Sequence, residues 1–152
     1  MRFSIATEIR ASPTTVWKVL RDVERWPEWT ASMTSLRLLD DGLLAVGSRV
    51  RVRQPKLPPA EMRVTELGEE RGFEWVARSP GLQTTAGHEI EPLGPGSRVK
   101  LWVEFDGLLS PLVSRLIGDL TRRYIRLEAE GLKRRSEEVS SGMAERREVI
   151  GS

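Results

Sequence analysis

Hydrophobic and polar residues alternate with period two along most of the first two thirds of the chain. Phe3, Ile5 and Ile9 mark a first strand that stops at Ala11-Ser12-Pro13. From Met33 to Asp106 six further short strands are separated by turn-rich breaks at Asp40-Asp41-Gly42, Pro55 to Pro59, Gly68 to Gly72, Ser79-Pro80-Gly81 and Pro92 to Gly96. Links this short join antiparallel neighbours. One face carries Val50, Val52 and Gln54, then Met62 and Val64, then Phe73, Trp75 and Ala77, then Val99, Leu101, Val103 and Phe105. Arg49, Arg51, Arg53, Arg63, Glu74, Arg78, Lys100 and Glu104 fall on the other, so the first face points inward and the second is wet, with Trp102 as the exception.

Two stretches have helical character. Ser12 is an N-cap and Pro13 a first helical residue, followed by an apolar stripe of Val16, Leu20 and Val23. Pro27 disfavours helical geometry at Trp26 and breaks this helix, so Glu24 to Trp29 forms a second short turn. After Gly107 the period becomes helical: Leu109, Leu112, Val113, Leu116, Leu120, Tyr124, Leu127 and Leu132 recur every three or four residues. A long helix is expected from about Leu109 to about Glu138, with a frayed tail over 139–152, where apolar residues are too few to pack. The expected domain is therefore 1–138.

The widths of these elements imply a cavity. Seven strands about 4.8 Å apart make a sheet roughly 30 Å wide, whereas a helix with its side chains is about 10 to 12 Å across. The sheet must curl around the helix, and a bent sheet stands away from a straight rod along part of its length. The gap is placed near the N-terminal half of the long helix, around Leu112, Leu116 and Leu120, as a site for an apolar ligand.

Composition narrows the chemistry. The chain of 152 residues has no cysteine and one histidine, which removes thiolate chemistry and any histidine cluster for zinc, so neither metal nor cofactor is expected. The net charge is +2; Lys18, Lys56, Lys100 and Lys133 are the lysines and the remaining basic residues are arginine. Charges this nearly balanced give nucleic-acid binding little support. The N-terminus lacks the apolar core of a signal peptide, and Gly107 to Gly118 is too short to span a bilayer, so a cytoplasmic protein without a membrane span is expected.

Local motifs carry a family resemblance. Ala11-Ser12-Pro13-Thr14-Thr15-Val16-Trp17, Trp26-Pro27-Glu28-Trp29, Val46-Gly47-Ser48-Arg49 and His88-Glu89-Ile90-Glu91-Pro92 occur in the order seen in the START-like, or SRPBCC, superfamily. Within it the chain most resembles bacterial proteins grouped as polyketide cyclase/dehydratase. The resemblance implies an α+β helix-grip fold: a curved seven-stranded antiparallel sheet wrapped around a long C-terminal helix, with two short helices between strands 1 and 2. It implies a small-molecule pocket, but members include cyclases, lipid carriers, hormone receptors and chaperone activators, and fold alone does not choose among them. The motifs are architectural and supply no reaction centre.

His88 is the one side chain whose unperturbed pKa lies near neutrality, and it shares the inward face with Thr84, Ala86 and Ile90. It is the candidate general base; a structural histidine bonded to backbone near the strand end is the plainer alternative. Gln54, Thr84 and Tyr124 could bond a ligand or merely be satisfied buried groups, and Trp29 and Trp75 could stack on a planar ligand or simply fill core. With Met62, Val64, Leu101, Leu112, Leu116 and Leu120 they complete the expected ligand-binding set. Glu66 and Asp106 have no catalytic partner by spacing. The arginine stripe of 49, 51 and 53 and the basic residues at 122, 123, 126 and 133–135 read as solvated faces. The leading expectation is a monomer or homodimer that binds a small hydrophobic molecule, lipid-like or aromatic polyketide-like, in an internal cavity that could promote its cyclisation or dehydration. A non-catalytic carrier or sensor, or a chaperone-activator-like interaction module, is the alternative.

Overall fold

The computed structural model describes residues 1–151, with side chains described through residue 143. The order is β1 (Arg2–Ile9), α1 (Pro13–Arg21), a 3₁₀ turn (Val23–Glu28), β2 (Ser35–Leu38), β3 (Arg49–Arg53), β4 (Ala60–Gly68), β5 (Gly72–Ser79), β6 (Leu82–Leu93), β7 (Gly96–Asp106) and α2 (Ser110–Gly151). The strands form one antiparallel sheet in the order β1-β7-β6-β5-β4-β3-β2, so that the first and last strands in sequence pair while β2 lies at the far edge.

Local chemistry explains the entry to the first helix. The Ser12 hydroxyl accepts from the Thr15 amide at 3.3 Å, with Pro13 in the first turn where no donor is lost. The chain leaves α geometry at Asp22 and re-enters as the 3₁₀ turn holding Pro27. That elbow buries Trp26 completely, its indole N–H donating to the Leu20 carbonyl at 2.9 Å.

The alternating face is buried as its pattern implies: Val50, Val52, Met62, Val64, Phe73, Trp75, Val99, Leu101 and Phe105 are all in the core. A bulge in β4 between Val64 and Glu66 interrupts the ladder with β5 and increases the local bend. On the convex face Trp102 is nonetheless buried. It lies opposite Gly87 on β6, where there is no side chain to displace it, and the Arg2 guanidinium sits 4.1 Å from its ring centre.

Helix α2 packs over β1 and β7 and against α1, while α1 packs on β5, β6 and β7 and the 3₁₀ turn on β2. The helical backbone of α2 runs through Gly151, past the end expected at about Glu138. The side chains expected to form a tail over 139–152 lie outside the described set beyond residue 143.

Candidate functional site: a cavity beneath the long helix

A cavity of about 630 Å³ lies between the concave face and α2. Its size suits a small organic molecule. Strands β3 to β7 supply Val52, Met62, Trp75, Ala77, Thr84, Ala86, His88, Leu101 and Phe105, while Leu57, Pro58 and Pro59 close one side from the loop after β3. Ile117, Thr121, Tyr124, Ile125 and Glu128 line it from α2.

Of the residues expected to bind a ligand, Gln54, Met62, Trp75, Thr84, His88, Leu101 and Tyr124 line the cavity. Strand parity placed the strand members there. Five others do not line it. Val64 and Trp29 are buried in the packed core instead, Trp29 against Trp26 in the elbow. Leu112 and Leu116 are 53% and 72% exposed, and Leu120 is half-buried away from the cavity. The helix presents the face next to the expected one: residues 117, 121, 124 and 128 stack at helical spacing toward the sheet.

His88 is buried among rings. It stacks on Phe73 with centroids 4.4 Å apart, and Trp26 and Trp75 meet it edge-on at 5.3 and 5.6 Å. Its Nδ1 is 3.3 Å from the Phe73 carbonyl oxygen; a carbonyl only accepts, so Nδ1 carries the proton and Nε2 of the neutral ring is an acceptor. Burial pushes its pKa down to about 4, against a weaker raising effect of that hydrogen bond. At neutral pH the ring is uncharged.

Glu128 has no counterpart in the sequence reading. It sits one helical turn beyond Tyr124, is 8% exposed, and has no hydrogen-bond or ion-pair partner among the described residues. Desolvation raises its pKa to about 8, so at pH 7 it is mostly a neutral acid. An acidic residue flanked by Arg126 and Glu130 reads in sequence as part of a solvated helix face; only the rotation of α2 puts it indoors.

The other polar groups are partly committed. Gln54 Nε2 donates to the Ser32 carbonyl at 3.3 Å, the Thr121 hydroxyl donates to the Ile117 carbonyl at 2.8 Å, and the Tyr124 hydroxyl donates to the Pro55 carbonyl, tying α2 to the loop after β3. Glu66 and Asp106 are exposed, and neither lines the cavity. Much of the arginine surface is engaged locally: Arg49 with Asp40 at 3.0 Å, Arg135 with Glu28 at 3.0 Å, and Arg134 with the Trp29 carbonyl at 3.0 Å. Among the described residues no three His, Asp or Glu side chains come together as metal ligands would, and no helix is long and apolar enough to cross a membrane.

A curved sheet gripping one long helix over an apolar cavity defines a START-like helix-grip protein. Residues 1–137 match the family described as polyketide cyclase / dehydrase and lipid transport, and the chain belongs to it. Solved structures with the same fold include a protein from Thermus thermophilus (17% identity, TM-score 0.75, covering 92% of this chain and 99% of that one). A START superfamily protein from Mycobacterium smegmatis is similar too (19%, 0.69, 88% and 97%). So is a point mutant of norcoclaurine synthase from Thalictrum flavum in complex with a transition-state analogue (16%, 0.71, 91% and 94%). At these identities the likeness concerns the fold. Among curated protein sequences none matches.

Proposed function

We propose that this protein binds a small hydrophobic molecule inside the cavity and carries or senses it. The observation that supports the reading is the cavity itself: about 630 Å³ of space walled by Met62, Trp75, Leu101, Phe105 and Ile117, with a few polar groups to orient a guest. An interaction module of the chaperone-activator kind would need no such space, and it would need a free basic surface, which the ion pairs of Arg49, Arg122 and Arg135 diminish.

Native mass spectrometry of freshly purified protein tests the reading. A bound mass in the range of a small organic molecule, released by organic solvent and restored on incubation with the extract, is the expected result. Protein that carries no such mass, and that also fails to quench Trp75 fluorescence with any hydrophobic probe, overturns it.

Catalysed cyclisation or dehydration is a second reading, favoured by one observation: the sole histidine lines the cavity as a neutral acceptor. Orientation of a flexible chain in the cavity would supply part of the acceleration, with His88 accepting a proton. A base pushed down to about 4 is a weak one, and its carbonyl bond and ring stacking are also what a structural histidine needs. Carrying therefore ranks first. Full turnover of the identified ligand by His88→Ala removes the histidine from any mechanism.

A further inference from the structure

The polar groups of the cavity are lopsided, and Glu128 is the centre of the imbalance. The hydroxyl hydrogens of Tyr124 and Thr121 are spent on backbone carbonyls, and one amide hydrogen of Gln54 is spent on Ser32. What these groups still offer a guest is mainly lone pairs: Tyr124 and Thr121 oxygens, the Gln54 amide oxygen and His88 Nε2. The donors left among neutral groups are the Thr84 and Ser79 hydroxyls, the second Gln54 amide hydrogen and the unpartnered Trp102 indole N–H, the last on the convex side of the sheet. Glu128 adds a carboxyl group with no partner among the described residues.

Among the described residues no cation pairs with that carboxyl. The titratable residues that share the cavity with it are His88 on β6, Tyr124 on α2, Glu61 and Arg63 on β4 and Arg78 on β5. Arg63 and Arg78 belong to the outward parity of their strands, and Arg78 is held by Gln83 at 3.1 Å. The strands β1 and β7 and helix α1, which also pack against α2, contribute no charged side chain to the lining. A buried carboxylate without a cation is costly, and one with a cation and hydrogen bonds is not.

Resting on the binding function proposed above, we infer that the guest is a hydrophobic amine, held by an ion pair between its ammonium group and Glu128. The ammonium donates to the surplus acceptors, and its apolar body lies against Trp75, Phe105 and Leu101. The same geometry disfavours hydrophobic carboxylic acids, fatty acids included, because a second carboxylate would face lone pairs and an acidic side chain, while the lining arginines, Arg63 and Arg78, belong to the outward parity of their strands. In the empty cavity at pH 7 Glu128 holds its proton; pairing with an ammonium favours the ionised form, so the proton leaves to solvent on binding.

Three congeners that share an aromatic body test this: naphthylethylamine, naphthylethanol and naphthylacetic acid, titrated calorimetrically at pH 7 into wild type and Glu128→Gln. Wild type should bind the amine about tenfold or more tighter than the alcohol, and the acid most weakly. Amine binding should release about one proton, read from the dependence of the heat on buffer ionisation enthalpy. In Glu128→Gln the amine preference over the alcohol and the proton release should both vanish. If wild type binds amine and alcohol equally, or Glu128→Gln keeps the preference, the inference falls and the hydrophobic cavity stands. If wild type binds none of the three, the cavity reading falls and takes the inference with it.

Discussion

The Cα of Gly131 on α2 lies so close to the backbone of Trp29 that a β-carbon there would come within 1.9 Å of the Trp29 carbonyl oxygen. The same oxygen accepts from Arg134 Nη2 at 3.0 Å. Helix and elbow thus meet backbone to backbone. Helix propensity alone would make Gly131→Ala stabilising by about 1 kcal/mol. A clash with main chain rather than with a flexible side chain cannot be relieved locally, and overpacking of this kind costs about 1 to 3 kcal/mol or more. Gly131→Ala is expected to lower the melting temperature; an unchanged or raised value would show that the elbow yields.

The rotation of α2 can be checked by truncating leucines on different faces. Leu116 is 72% exposed, so Leu116→Ala should change stability by no more than about 0.5 kcal/mol. Leu132 is fully buried, and Leu132→Ala should cost about 2 to 5 kcal/mol in denaturant unfolding. Had the leucine stripe at 112, 116 and 120 faced the sheet, both substitutions would be severe.

The contrast shows which features a single sequence can carry. A strand has two faces, so once Val50, Val52, Met62 and Trp75 are inside, the parity of Gln54, Thr84 and His88 follows, and all three line the cavity. A helix has many phases. Leu109 just before α2 and Leu112 and Leu116 on it form a regular stripe yet are exposed, while Ile117, Thr121, Tyr124 and Glu128, a less uniform set, face the sheet. Periodicity identified the helix; its rotation is set by backbone contacts such as Gly131 against Trp29, which leave no hydrophobic pattern. Glu128 was illegible for the same reason.

Trp102 was legible only as an anomaly, an aromatic on a face of charges. Its explanation is Gly87 across the ladder: a β-carbon there would lie 2.1 Å from the indole. Gly87→Ala should cost about 1 to 3 kcal/mol in wild type. It should cost much less in a Trp102→Ala background, and the double-mutant cycle over the two sites reads the difference. Additive effects would show that the glycine is needed for some other reason.

Two buried ionisable groups in one cavity shape the pH dependence of stability, with opposite signs. Burial raises the Glu128 pKa from 4.5 to about 8, so between those values the folded state holds a proton that the unfolded chain has lost, and stability falls as pH rises. Burial lowers the His88 pKa from 6.5 to about 4, so between those values the unfolded chain holds the extra proton, and stability rises with pH. From about pH 4.5 to 6.5 the two slopes oppose each other and their sum is nearly flat. From about 6.5 to 8 Glu128 acts alone, at about 1.4 kcal/mol per pH unit at most. Glu128→Gln should therefore be increasingly more stable than wild type across that upper window, and the gain should level off above about pH 8. Chemical denaturation of both proteins from about pH 6 to 9 measures it. A constant difference between them would mean that the carboxyl is solvated in the folded protein, and that the cavity is wetter than its walls imply.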